Sequence, residues 1–192
     1  MDSGAELPKR KSIRLRGYDY SLAGAYFVTI CSYDKRCLLG AMRDKSVLLN
    51  PTGEIVRATW ISLPERFPRL ILDEFVIMPN HFHALLALVG AGLAPPAVSL
   101  ATLARGEANR APKAAAPAAK THSLHDIIGA FKSISTIQVN RLLHQKGVPL
   151  WQRNYHEHIV RNGEDAHKIQ QYILENPLNW LLDKENPNRT LA

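Results

Sequence analysis

The sequence predicts an α+β fold, a ferredoxin-like β-α-β-β-α-β sandwich with one additional helix near its C-terminal end. Two apolar runs, "LILDEFVIMPN" and "HFHALLALV", meet at Pro79-Asn80 and read as adjacent strands joined by a tight turn. Two amphipathic helical patterns, one beginning at Pro51 and one over 123–147, separate β-rich segments in the required order.

Each element has its own signal. "AYFVTICSY" (25–33) is apolar and β-branched, the composition of a central strand, and "SVLLN" (46–50) reads as a short extra strand. "PTGEIVRATWISLPERFP" starts as a helix, places Ile55, Thr59, Ile61 and Leu63 near helical spacing, and ends around Pro64. In the strand from His81, odd and even positions are both apolar beyond the histidines, which marks an interior strand covered on both faces. The long helix carries Leu124, Ile127, Ile128, Phe131, Ile134, Ile137, Val139 and Leu142. Ser123 and Asp126 fit a capping box at its start, and Gly147 is placed to end it. "YHEHIVRN" (155–162) is the fourth strand. "EDAHKIQQYILENP" (164–177) is the last helix, acidic in its first turn and closed by Pro177.

One domain over 18–183 is expected, preceded by a basic arm at 1–17 and followed by a tail at 184–192. An insert at about 91–121 interrupts it; nine of residues 101–120 are alanine, so this stretch reads as linker and not as core. Residues 84–104 carry no charge, but Gly90, Gly92, Pro95 and Pro96 break them, so no membrane span is expected. The N-terminus lacks a secretory h-region, and Cys31 and Cys37 match no zinc or redox spacing. A cytoplasmic protein with reduced thiols is the expectation. Lys plus Arg exceed Asp plus Glu by 24 to 17, which favours a polyanionic partner, nucleic acid first and anionic membrane second.

Two polar pairs stand out. On a strand, His81 and His83 point to one face. On the last helix, Ile169, Tyr172, Ile173 and Asn176 fall at i, i+3, i+4 and i+7, so a hydroxyl and an amide share the inward stripe and need partners. A His-x-His is more often structural or solvated than a metal site, and Tyr172 alone reads as a core tyrosine with a wet hydroxyl. His156 and His158 form a rival pair at the same spacing.

The wording of five blocks carries a resemblance. "RLRGYDYSLAGAYFVTI", "RFPRLILDEFVIMPNHFH", "SLHDIIGAFKS", "LWQRNYHEHIVRN" and "YILENPLNW" together resemble the single-tyrosine HUH transposases, and within them the REP-associated tyrosine transposases. The histidine-hydrophobic-histidine element is His81-Phe82-His83, and the nucleophile helix is Tyr172 followed four residues later by Asn176. The resemblance implies a metal-dependent single-tyrosine endonuclease that cleaves and rejoins single-stranded hairpin DNA through a 5′-phosphotyrosine, leaving a free 3′-OH. It implies Tyr172 on the added helix as nucleophile, with His81, His83 and Asn176 holding Mg²⁺ or Mn²⁺.

Two imidazoles plus an amide oxygen make an open N/O site of the right kind for such an ion. A phosphotyrosine also conserves the bond energy needed for resealing. For DNA contact the candidates are Arg14, Arg16, Lys132, Arg153 and Arg161 at phosphates, His158 beside them, and Trp151 and Tyr155 as stacking groups. Trp60, Trp151 and Trp180 also read as packing residues. Monomer and homodimer are both compatible with the sequence. A non-cutting DNA-binding protein on the same scaffold is the alternative, and a hydrolase of small phosphoesters a third class.

Overall fold

A computed structural model of the chain describes residues 18–90 and 122–189. The basic arm with Arg14 and Arg16, and the Ala-rich insert, lie outside the described residues.

The strands are β1 (Gly24–Cys31), β2 (Gly40–Arg43), β3 (Ser46–Leu49), β4 (Leu70–Ile77), β5 (His81–Leu88) and β6 (His156–Val160). The helices are α1 (Pro51–Arg66), α2 (Leu124–Leu142) and α3 (Gly163–Glu175). Four strands form one antiparallel sheet in the order β4-β5-β1-β6, the ferredoxin-like arrangement, with a bulge in β4 between Leu72 and Phe75. β2 and β3 make a separate hairpin whose turn residues Asp44 and Lys45 both have positive φ.

Every residue of β5 is buried, because it is an interior strand covered on both faces. Its even positions, Phe82, Ala84, Leu86 and Leu88, join Tyr26, Val28 and Ile30 of β1 and the inner sides of α1 and α2 in the larger core. Trp60 and Phe131 close on Phe82 there, with ring centroids 4.8 and 5.2 Å away. The odd positions Leu85 and Ala87 join Ala25, Val160 and the α3 residues Ala166, Ile169 and Ile173 in a smaller core on the opposite face. α3 therefore covers the face on which His81 and His83 lie.

Helix ends differ from the sequence expectation in three places. α1 runs through Pro64 to Arg66: the proline removes one hydrogen bond only, and Phe67 N–H closes the turn on the Leu63 carbonyl at 2.9 Å. Its buried side is Val56, Thr59, Trp60 and Leu63, while Ile61 is exposed. The capping box of α2 is present, but the helix stops at Leu142, five residues before Gly147. His144 beyond it takes the left-handed conformation (φ 50°); within the helix Ile137 and Leu142 are exposed while Val139 is buried. α3 is capped by Asn162, whose side chain accepts from Asp165 N–H at 2.8 Å. Asn176 follows its last residue with helical φ and ψ of −56° and −42°, so its side chain still lies one turn beyond Tyr172. Among the described residues no helix is long and apolar enough to cross a membrane.

Candidate metal and nucleophile site

The sheet register builds the site from three strands. Cys31 pairs with His81 and Thr29 with His83 across β1 and β5, and His156 sits opposite Thr29 on β6. His81 and His83 are fully buried, with ring centroids 4.5 Å apart.

Both rings are held from behind. The Asn80 amide donates to the backbone carbonyls of Lys35 (3.0 Å) and Glu185 (2.6 Å), which fixes its orientation. Its Oδ1 therefore accepts from His81 Nδ1–H at 2.9 Å, and His81 Nε2 is left with a free lone pair. His83 Nδ1 shares a hydrogen bond with Thr29 Oγ1 at 2.8 Å, which holds the ring with Nε2 toward Tyr172. The Tyr172 hydroxyl lies within hydrogen-bond distance of that Nε2, at 3.3 Å, its ring edge-on to His83 and Phe27.

Opposite the rings, the chain returns through a short 3₁₀ turn (Trp180–Leu182) and presents Asp183. One carboxylate oxygen lies 3.8 Å from His81 Nε2 and accepts from Asn176 Nδ2 at 3.2 Å. That bond leaves Asn176 Oδ1 as the free atom of the amide. The Trp180 ring stacks over His81 at 6.0 Å.

Burial holds both imidazoles below their ordinary pKa, His83 well below it, and repulsion between the two rings when charged adds to burial at His83; for His81 the Asp183 charge opposes the effect. Both rings are consequently neutral. Burial, then the Asp183 charge, raises the Tyr172 phenol, while the nearby Asn176 amide lowers it.

These residues fit a divalent ion. His81 Nε2 and Asn176 Oδ1 are buried without a hydrogen-bond partner, and each such acceptor costs about 1–3 kcal/mol unless something compensates it. One ligand atom from each of His81, His83 and Asp183 lies within 4.8 Å of the others. Among the described residues no other His, Cys, Asp and Glu group is so placed.

The structure thus brings four expected residues, Tyr172, His81, His83 and Asn176, into one site. It also adds Thr29, Asn80 and Asp183, which the sequence reading missed. Asn80 had a signal, its position in the turn beside His81. Asp183 had none, since no periodicity reaches across an irregular turn.

Two expected DNA contacts are corrected. Lys132 is half-buried and donates to the carbonyls of Gln152 (2.5 Å), Arg153 (2.9 Å) and Asn154 (3.5 Å), and burial lowers its pKa, so it braces a loop from inside. Trp151 is 5% exposed, packs on Phe131 and donates from Nε1–H to Ser135 Oγ at 2.9 Å, so its faces are closed to bases. Of the rival pair, His158 is held by Asp165 at 3.0 Å, away from the cluster. Arg153 and Arg161 are exposed and Tyr155 is half-buried.

No family model matches the chain. An uncharacterised protein of Haemophilus influenzae (strain ATCC 51907 / DSM 11121 / KW20 / Rd) is 33% identical over 180 residues, spanning 94% of each chain. A solved structure of a REP-associated tyrosine transposase bound to a REP hairpin is 18% identical and superposes with a TM-score of 0.52, over 87% of this chain and 73% of that one. The fold is shared with that transposase.

Proposed function

We propose for this chain, which belongs to one family with the Haemophilus influenzae protein, a single-strand DNA cleaving and rejoining activity in which Tyr172 is the nucleophile. The observation that carries it is the Tyr172 hydroxyl 3.3 Å from His83 Nε2, beside two unpaired buried acceptors and a carboxylate. By likeness of fold to the hairpin-bound transposase, the substrate class is single-stranded DNA with hairpin structure.

His81, His83, Asn176 and Asp183 would hold Mg²⁺ or Mn²⁺, and the carboxylate makes the donor set harder than two imidazoles and an amide alone. Such an ion, when bound, neutralises charge on the non-bridging oxygens of the scissile phosphate. Tyr172 Oη attacks phosphorus: the Oη–P bond forms, the P–O3′ bond breaks, the phenolic proton is lost to solvent and the leaving 3′ oxygen takes one up. The reverse attack by a 3′-OH reseals a strand and restores the phenol. His83 Nε2 has a single lone pair, so it either holds the phenol or serves as a ligand; Tyr172 is released from it in the second case.

Within one chain the phenol already reaches His83, which favours a site completed in cis and functional in a monomer. Arg153 and Arg161 remain phosphate-contact candidates, and Arg14 and Arg16 are carried by the arm. All four positions that the chemistry requires are filled, which favours cutting over the non-cutting DNA-binding alternative.

The test is covalent capture. The protein is mixed with labelled single-stranded hairpins from the flanks of its own coding sequence, with Mn²⁺ or Mg²⁺, and resolved on a denaturing gel beside Tyr172→Phe. A metal-dependent adduct absent from the variant is expected. Binding without an adduct would return the chain to the non-cutting class.

A further inference from the structure

Beside the His pair, on the β6 side, lies a second recess. A cleft of about 250 Å³ is lined by Thr29, Cys31, Lys35, Gln152, Asn154, Tyr155, His156, Lys184 and Glu185. It shares a wall with the candidate metal site, because Thr29, which lines it, is hydrogen-bonded to His83 Nδ1, and Cys31 pairs directly with His81.

The far wall is fixed in place by bonds that begin in the core. Trp151 is anchored to Ser135, Gln152 N–H donates to the Cys31 carbonyl at 3.0 Å, and Tyr33 N–H donates to the Leu150 carbonyl at 2.8 Å. Lys132 gathers the carbonyls of residues 152–154 from behind. The side chains of Gln152, Asn154 and Tyr155 line the cleft, Tyr155 half-buried and packed in part against the larger core. The near wall is braced by the Lys35–Glu185 ion pair at 2.9 Å, while Lys184 adds an exposed cation at the rim.

The lining combines a carboxamide pair, an aromatic ring, an imidazole, a thiol and two lysines, one of which is paired with Glu185. Carboxamides match base edges, aromatic faces stack on unpaired bases, and lysines attract phosphate. The volume is below the roughly 300–1,000 Å³ of pockets for drug-sized ligands and has room for a base.

We propose that this cleft receives a single unpaired base next to the scissile phosphate, with Gln152, Asn154 and Tyr155 as its contacts and Lys132 as the positioning residue that holds them. The proposal rests on the strand-cleaving reading above and adds a specificity subsite to it.

The test uses the metal-free full chain, ¹⁵N-labelled, titrated to about 10 mM with each of the four deoxynucleoside 5′-monophosphates. Shifts are expected at Thr29, the Gln152 and Asn154 side-chain amides and Tyr155. Binding should weaken roughly tenfold in Gln152→Ala/Asn154→Ala, the loss of about one base contact of ordinary strength. Lys132→Met should weaken it too, while a thermal melt reports whether that variant is folded; Asn154→Asp, on an exposed side chain, serves as the second probe if it is not. Shifts confined to the His81 and His83 neighbourhood would mean phosphate capture alone and would overturn the subsite. Absence of any shift would overturn it as well. Both results leave the tyrosine mechanism to be judged by the adduct assay, so the two failures are separable.

Discussion

Asn80→Ala removes the device that points His81 into the site. The Asn80 side chain is fully buried and makes three hydrogen bonds, to His81 Nδ1 at 2.9 Å and to the carbonyls of Lys35 at 3.0 Å and Glu185 at 2.6 Å. At about 1 kcal/mol net for each bond, its loss should cost about 3 kcal/mol. For a chain of this length that lowers Tm by about 6–12 °C. Loss of a support behind a ligand ring should also weaken Mn²⁺ binding by about 10–100-fold. Asn80→Asp separates the two roles: its carboxylate still accepts from His81 Nδ1–H, but it cannot donate to the two carbonyls. It should therefore lose at least about 2 kcal/mol of stability, and more because a buried carboxylate oxygen then faces those two carbonyls, while keeping Mn²⁺ affinity within a few-fold of wild type. Differential scanning fluorimetry and calorimetric Mn²⁺ titration read the two quantities. Alanine and aspartate variants that bind Mn²⁺ equally well would refute the claim that Asn80 orients His81.

Three further outcomes are expected. Asp183→Asn should weaken Mn²⁺ binding roughly 10–100-fold by calorimetry, since the only carboxylate of the cluster is lost; unchanged affinity would remove Asp183 from the ligand set. Trp151→Ala should cost about 3–5 kcal/mol in urea unfolding, as expected of a core residue and not of an exposed stacking ring; a cost below about 1 kcal/mol would contradict its burial. The buried imidazoles have folded pKa values below the unfolded value near 6.5, so the unfolded chain binds more protons at and below that pH. Their contribution to stability is therefore present above about pH 6.5 and is lost as pH falls toward the folded values, and metal-free Tm should drop over that window, less steeply in His83→Gln. A Tm that stays flat across the same window would refute it.

Periodicity made part of this legible. Alternation on a strand put His81 and His83 on one face, helical spacing put Tyr172 and Asn176 on one stripe, and the sheet joins these two faces. What periodicity cannot encode is where an irregular segment returns, which is why Asp183 was invisible. Chemistry of the letters misled at Lys132 and Trp151: a cation and an indole suit DNA on a surface, but here both close the seam between α2 and the 150–155 segment. At Ile137 and Leu142 the apolar letters did not mean burial: both are exposed although Val139 between them is buried, and nothing in the pattern announces the left-handed break at His144.

The most direct measurement is the site of attachment in a trapped protein–DNA adduct. Digestion with trypsin should release Ile169–Lys184, whose single tyrosine is Tyr172, while Tyr155 leaves on Asn154–Arg161. Mass spectrometry should find the nucleotide remnant on the first peptide, through a phosphotyrosine and only when divalent metal was present. A remnant on the second peptide, or on any peptide without Tyr172, would contradict the assignment of the nucleophile and with it the role of the site.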